Sequence, residues 1–259
     1  LISPLKGDIF MLWDTHMHTH FSGDSNADPA AMARSAIGKN LAGICITDHL
    51  DYDYPDEPDL FTIDFPQYEK GIRQLQADFS DSLNINFGIE LGLQPHLAKK
   101  HHEILQEMDF DFVIGSSHVV HGLDPYYPAY YEGRSEHAAY LEYFESILEN
   151  ISAYDGFDVY GHIDYVVRYG PNKNREYSYG RYKDILDEIL KKLISMGKGI
   201  ELNTGGYHYG LGEPNPCTAV IRRYRELGGE IITIGADAHT PDKIACAFDK
   251  AASVLEACG

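Results

Sequence analysis

Two histidines separated by one residue give the first spacing in the chain that suggests chemistry, in Asp14-Thr15-His16-Met17-His18-Thr19-His20-Phe21-Ser22-Gly23-Asp24. They follow an apolar run of strand character, Ile9-Phe10-Met11-Leu12-Trp13. Residues two apart on an extended chain point to the same side, so His16 and His18 can offer two imidazoles to one cation. Alone the pair is a weak signal, because a His-rich polar face has the same spacing. The pattern recurs, however. Of thirteen histidines, six fall at the ends of predicted strands: His16, His18, His49, His118, His162 and His239. Asp24, Glu90 and Asp237 join them on the same rim. This set exceeds the three or four ligands of a mononuclear zinc site. Two or three divalent metal ions are implied, with a carboxylate such as Glu90 able to bridge two of them. Such a cluster lowers the pKa of water towards roughly 7 and neutralises anionic oxygens, which is what ester hydrolysis requires.

The elements that must position these residues alternate along the chain. Asp28-Pro29 opens a helix to about Lys39, the Asp as cap and the Pro in the first turn. The run 41–47 reads as a buried strand ending in Asp48-His49, and a helix over 66–80 leads to strand 85–89, which ends in Glu90. A helix at 96–108 precedes strand 112–116, ending near His118; a helix at 136–154 precedes strand 158–161, ending in His162. A helix at 181–196 precedes strand 199–202, ending at Asn203. Asn215-Pro216 starts another helix, strand 230–235 ends in Asp237 and His239, and Thr240-Pro241 opens the last helix. This order predicts a distorted (β/α)7 barrel, TIM-barrel-like, with a doubly wound open sheet as its rival. The barrel is favoured because ionisable residues stand at the ends of strand after strand, and such a ring converges only if the sheet closes. One domain over 1–259 suffices, with residues 1–10 read as an upstream extension.

A net charge of −19 argues against a broad basic face for nucleic acid. No apolar run approaches the ~20 residues of a membrane span, and no leader pattern opens the chain. The four cysteines form no CxxC, which suits structural thiols in a reducing cytoplasm. Composition does not bear on oligomeric state. His20 backs the first motif or faces solvent; His96, His101, His102 and His137 lie on predicted helices and read as solvated. The Tyr-rich loops, including Tyr126, Tyr127, Tyr130 and Tyr131, read as loop packing or as aromatic faces for a flat substrate group.

Asp14-Thr15-His16-Met17-His18, Thr47-Asp48-His49, Gly88-Ile89-Glu90, Ser117-His118, Gly161-His162 and Asp237-Ala238-His239 together resemble the polymerase-and-histidinol-phosphatase (PHP) family. The likeness is greatest to its histidinol-phosphate phosphatase branch and runs over nearly the whole chain from Asp14. The resemblance implies a trinuclear centre of manganese, iron or zinc. One metal would take His16, His18, Glu90 and Asp237; a second, Glu90, His118 and His162; a third, Asp24, His49 and His239. Many family members carry His where this chain has Asp24. Arg168, six residues after His162, resembles a family Arg that contacts substrate phosphate, a task suited to a planar guanidinium. At His208 the related phosphatases usually carry Arg. His208, and His121 just past His118, are candidates to touch substrate. Asp24 or His239 would assist the leaving alkoxide. The expected reaction is hydrolysis of a small phosphomonoester, L-histidinol phosphate giving L-histidinol and phosphate in histidine biosynthesis. The alternatives are a PHP phosphoesterase acting on another small ester or a short nucleotide, a metal-dependent amidohydrolase, and a non-catalytic metal-binding module.

Overall fold

The structure, a computed structural model, describes residues 12–259; Ile9–Met11 of the first predicted strand and the expected extension at 1–10 lie outside them. The chain runs β1 (Trp13–Asp14), α1 (Pro29–Gly38), β2 (Gly43–Ile46), β3 (His49–Leu50), α2 (Phe65–Phe79) and β4 (Asn84–Gly92). It continues through α3 (Ala98–Glu107), β5 (Phe112–Ser116), α4 (Glu136–Ala153), β6 (Val159–Tyr160), α5 (Lys183–Ser195) and β7 (Gly199–Asn203). The last elements are α6 (Gly205–His208), α7 (Thr218–Glu226), β8 (Ile232–Gly235) and α8 (Phe248–Cys258).

All strand pairs are parallel, in the order β1-β2-β4-β5-β6-β7-β8, with β3 beside β4. The segment after β1 then meets the segment after β8. Thr15 N donates to Ile234 O at 3.1 Å, Asp237 N to His16 O at 2.8 Å and His18 N to Ala238 O at 2.9 Å. These bonds nearly close the sheet into a barrel, so the rim residues converge as the open-sheet alternative would not allow.

Local chemistry accounts for the helix starts. The Asp28 carboxylate accepts from Ala30 N and Ala31 N, with Pro29 in the first turn. Asp64 caps α2 through Gln67 N, and Ser135 caps α4 through Ala138 N. One apolar core lies under α1 and α2, where Met32, Ala36, Ile46, Tyr68, Ile72 and Phe87 are fully buried. The larger core lies beneath α4 and α5, with Phe144, Ile147, Leu186 and Leu190. Each of the Leu, Ile, Met and Phe side chains contributes about 1.5–3 kcal/mol by leaving water.

Four expectations change. The strand predicted over 41–47 stops at Ile46, and β3 resumes beside β4 with His49 in register with Glu90. Thr47-Asp48 makes the step because the Asp48 carboxylate turns inward to Thr19 Oγ1 and Ser22 Oγ, both donating at 2.8 Å. Asn215 pairs with Asn203 through mutual backbone bonds, which delays α7 to Thr218. Pro241 opens only a short 3-10 turn, and α8 waits until Phe248, because Ala245 N donates to Asp14 Oδ2 at 2.8 Å and holds the connection against β1. His101, read as solvated, is fully buried on α3.

Candidate metal centre

Glu90, fully buried at the rim end of β4, is the hub. Its Oε1 lies 2.9 Å from His162 Nε2 and 3.3 Å from His118 Nε2, and accepts from Ser116 Oγ at 2.6 Å. Its Oε2 lies 3.1 Å from His16 Nε2, 3.5 Å from His18 Nε2 and 3.0 Å from His49 Nδ1. Asp237 Oδ1 stands 3.2 Å from His18 Nε2 and 3.6 Å from His16 Nε2. Asp237 adopts a φ of 55°, left-handed backbone that Asp tolerates better than most side chains. The remaining three residues gather beside this group. His239 Nε2 is 3.0 Å from Asp24 Oδ2, His49 Nε2 is 3.8 Å from the same oxygen, and the His18 ring stacks on those of His49 and His239.

The far sides of the imidazoles decide their tautomers. His16 Nδ1 lies 2.6 Å from Glu201 Oε1, His118 Nδ1 2.8 Å from Asp51 Oδ1, His18 Nδ1 3.2 Å from Ser22 Oγ and His239 Nδ1 3.0 Å from Asp237 O. A proton on each Nδ1 satisfies these acceptors and leaves each Nε2 lone pair aimed inward, the arrangement that metal-ligating histidines adopt. His16 Nε2 and His18 Nε2 are then 3.1 Å apart with facing lone pairs. Two such pairs repel unless a cation lies against both. The donor set also contains buried atoms without a hydrogen-bond partner: His49 Nδ1, Asp51 Oδ2 and His162 Nδ1. Divalent cations fit these residues on both counts.

Donor atoms lie within 4.8 Å of one another in five triplets: His16, His18 and Glu90; His16, His162 and Asp237; Glu90, His118 and His162; His18, His49 and His239; His49, Asp51 and His118. Burial alone would push the Glu90 and Asp237 carboxyls up, but facing imidazoles outweigh it and hold both well below the usual carboxylate range, with Arg168 also acting on Asp237. Burial, then His49 and His239, pushes the His18 imidazole down to about 3.

All nine metal-ligand candidates from the sequence thus come together. Two participants were missed. Asp51 lies two residues past His49 on extended chain, so the spacing rule applied to His16 and His18 would have found it. Glu201 lies two residues before Asn203 on β7, the one predicted strand whose end showed no ionisable residue. Arg168 is buried in the wall of a cavity of about 280 Å³ beside the cluster. Its Nη1, Nη2 and Nε each donate at 2.8 Å, to Asp237, Asn203 and Asn215 respectively. His208 does not line that cavity. It lines an adjoining one of about 270 Å³, with Lys243, which shares Tyr209, Asp237 and His239 with the first. The expectation for His121 is corrected: its ring is exposed, its nitrogens lie 3.0 Å from Glu142 and 3.2 Å from Glu149 on α4, and it borders a different hollow. Its φ of 50° turns the chain away just after His118. His20 is exposed.

A nearly closed parallel barrel with a buried cluster of His and carboxylate donors at its rim defines a class of protein. The PHP domain family model matches residues 14–205, and the chain belongs to the PHP family. Among its relatives is the histidinol-phosphatase of Lactococcus lactis, 31% identical over 95% of this chain and 91% of that one. A probable histidinol-phosphatase of Clostridium acetobutylicum is 32% identical over 96% of this chain and 94% of its own. The crystal structure of the Lactococcus lactis histidinol phosphate phosphatase, complexed with zinc, L-histidinol and phosphate, superposes with a TM-score of 0.90 at 31% identity, covering 96% of this chain and 94% of that one. A Listeria monocytogenes structure with a TM-score of 0.80 at 20% identity supports the fold alone.

Proposed function

We propose that this protein hydrolyses L-histidinol phosphate to L-histidinol and phosphate, a step of histidine biosynthesis. The observation that carries the reading is the convergence of His16, His18, His49, His118 and His162 on the single carboxylate of Glu90, in a chain 31% identical to a histidinol-phosphatase. We assign two or three cations (manganese, iron or zinc) to His16, His18, Glu90 and Asp237; to Glu90, His118 and His162; and to Asp24, His49 and His239. Such cations supply a water of lowered pKa and positive charge for the phosphoryl oxygens.

The chain's own residues do the remaining work in this reading. Arg168 spends three of its five N–H donors on Asp237, Asn203 and Asn215, which fixes the guanidinium and leaves two donors for phosphoryl oxygens. With two cations bound and this third set free, Asp24 and His239, joined at 3.0 Å beside the cavity, can pass a proton to the leaving alkoxide, a role worth about 10²–10⁴-fold; with three bound they act as ligands instead. One sheet runs from Trp13 to Gly235, which supports a single PHP-type domain. No helix among the described residues is long and apolar enough to cross a membrane. All four cysteines are free thiols, and on that ground we place the reaction in the cytoplasm.

The test is phosphate release from L-histidinol phosphate by the protein loaded with manganese, iron or zinc. Activity should vanish on chelation and fall at least 10²-fold in His162→Ala together with metal content. Full turnover in excess chelator would refute the assignment.

A further inference from the structure

The cavity beside the metal residues carries a feature the phosphate chemistry does not use. Asp124 lines it and is buried, 6% exposed. Tyr54 Oη donates to its Oδ2 at 2.7 Å and Tyr126 N to its Oδ1 at 2.7 Å. The rest of that wall is aromatic. Tyr126 packs on Tyr169 at 5.1 Å, Tyr169 on Tyr165 at 5.0 Å and on Tyr209 at 5.4 Å, and Tyr54 on Phe61 at 4.7 Å. Burial pushes the Asp124 carboxyl up from its ordinary value, against the Tyr126 N–H, the Tyr54 hydroxyl and then His118. A buried carboxylate that meets only a hydroxyl and a backbone N–H, with no ion pair among the described residues, and that sits among ring faces that themselves attract cations, is a receptor for an N–H cation.

Arg168 and Asp124 line the same cavity with opposite charge. The molecule that matches both is a zwitterion, with an anionic phosphate at one end and a protonated nitrogen at the other. We propose that Asp124, set in this aromatic collar, is the specificity residue that receives a cationic nitrogen on the alcohol portion of the phosphomonoester. The proposal rests on the phosphomonoesterase reading above.

The experiment uses the full chain loaded with metal. Wild type and Asp124→Asn are compared on L-histidinol phosphate and O-phosphoethanolamine, which carry a cation, and on n-propyl phosphate, which does not. The variant should lose at least 30-fold in kcat/KM on the cationic esters, chiefly through KM, and less than threefold on n-propyl phosphate. Retained activity on the neutral ester reports that the variant folds. Equal losses on both kinds of ester, or no loss on the cationic ones, would overturn the proposal. A second measurement needs no variant: L-histidinol should inhibit wild-type hydrolysis of n-propyl phosphate at least tenfold more strongly than its deaminated, uncharged analogue does at a pH where the imidazole is neutral. Equal inhibition overturns the proposal too. Should wild type release phosphate from no ester, the hydrolase reading fails by itself; calorimetric titration with L-histidinol then decides, tenfold weaker binding to Asp124→Asn sustaining the proposal and unchanged binding rejecting it.

Discussion

Four imidazoles of the centre are held by their Nδ1 atoms, and the acceptors that hold them matter as much as the residues they aim. Glu201 is the most connected: it accepts from His16 Nδ1, from His162 N at 3.0 Å and from Asn203 Nδ2 at 3.0 Å. Exchanging its carboxylate for an amide removes the negative charge that fixes the His16 tautomer. We expect Glu201→Gln to lose about 10–100-fold in metal affinity or activity, read by metal content per chain alongside phosphate release. Unaltered metal content with unaltered turnover would show that Glu201 does not orient His16. His101 makes the opposite case. Both of its ring nitrogens are buried without a hydrogen-bond partner, between the rings of Tyr52 and Tyr154. Burial lowers its pKa from 6.5 to about 4. The folded state therefore favours the neutral ring, and the unfolded chain takes up the proton first as pH falls. Stability from this group is whole above 6.5 and is lost between 6.5 and about 4. His101→Leu should remove that dependence, gaining about 2 kcal/mol relative to wild type between pH 7.5 and 5. Urea unfolding of both proteins in chelator checks this, and parallel pH profiles would count against it.

At the scale of elements, β5, β7 and β8 end within one residue of where the sequence pattern placed them, because apolar runs bounded by Gly and polar residues mark buried strands, whereas β4 runs on past the expected end at 89 to Gly92. The step at Thr47-Asp48 was not legible, since it depends on partners 26 and 29 residues away in sequence. The same holds for the delayed start of α8, which follows from a hydrogen bond to Asp14, 231 positions distant. Close approach of elements is just as invisible in sequence. Gly235, the last residue of β8, lies so near that a Cβ there would collide with Glu201 Oε1 and His16 Cβ. Gly235→Ala therefore pushes β8 away from the first strand and disturbs the carboxylate that positions His16. It should cost about 1–3 kcal/mol and reduce metal content, measured by chemical unfolding and elemental analysis. Wild-type stability and loading would mean that the rim yields more easily than its packing implies.

The whole molecule is a ring whose seam lies beside the candidate centre. Residues from the ends of β1, β4, β5, β6 and β8, together with β3, share the putting-in-place of Glu90 and Asp237. A cation held among them ties the first strand to the last. At 100 times its dissociation constant a ligand of the native state adds about 2.7 kcal/mol, which for a chain of this size raises Tm by about 5–10 °C. Stripping the metal should lower Tm by that amount, and restoring it should recover the loss in wild type but only in part in His162→Ala. A melting curve indifferent to metal would place the cations elsewhere.

By itself the sequence determined which residues have metal-ligand chemistry and that they stand at strand ends, because those properties follow from side-chain type and from the period of two along a strand. It likewise determined the alternation that makes a parallel barrel. Only the tertiary structure decided which donors face one another, that Asp51 and Glu201 hold the imidazoles, that His121 turns away and that Asp124 joins an aromatic wall. Those outcomes depend on contacts between positions far apart in the chain, set when the ring closes; the spacing of Asp51 from His49 marks it as a participant but does not record that it meets His118.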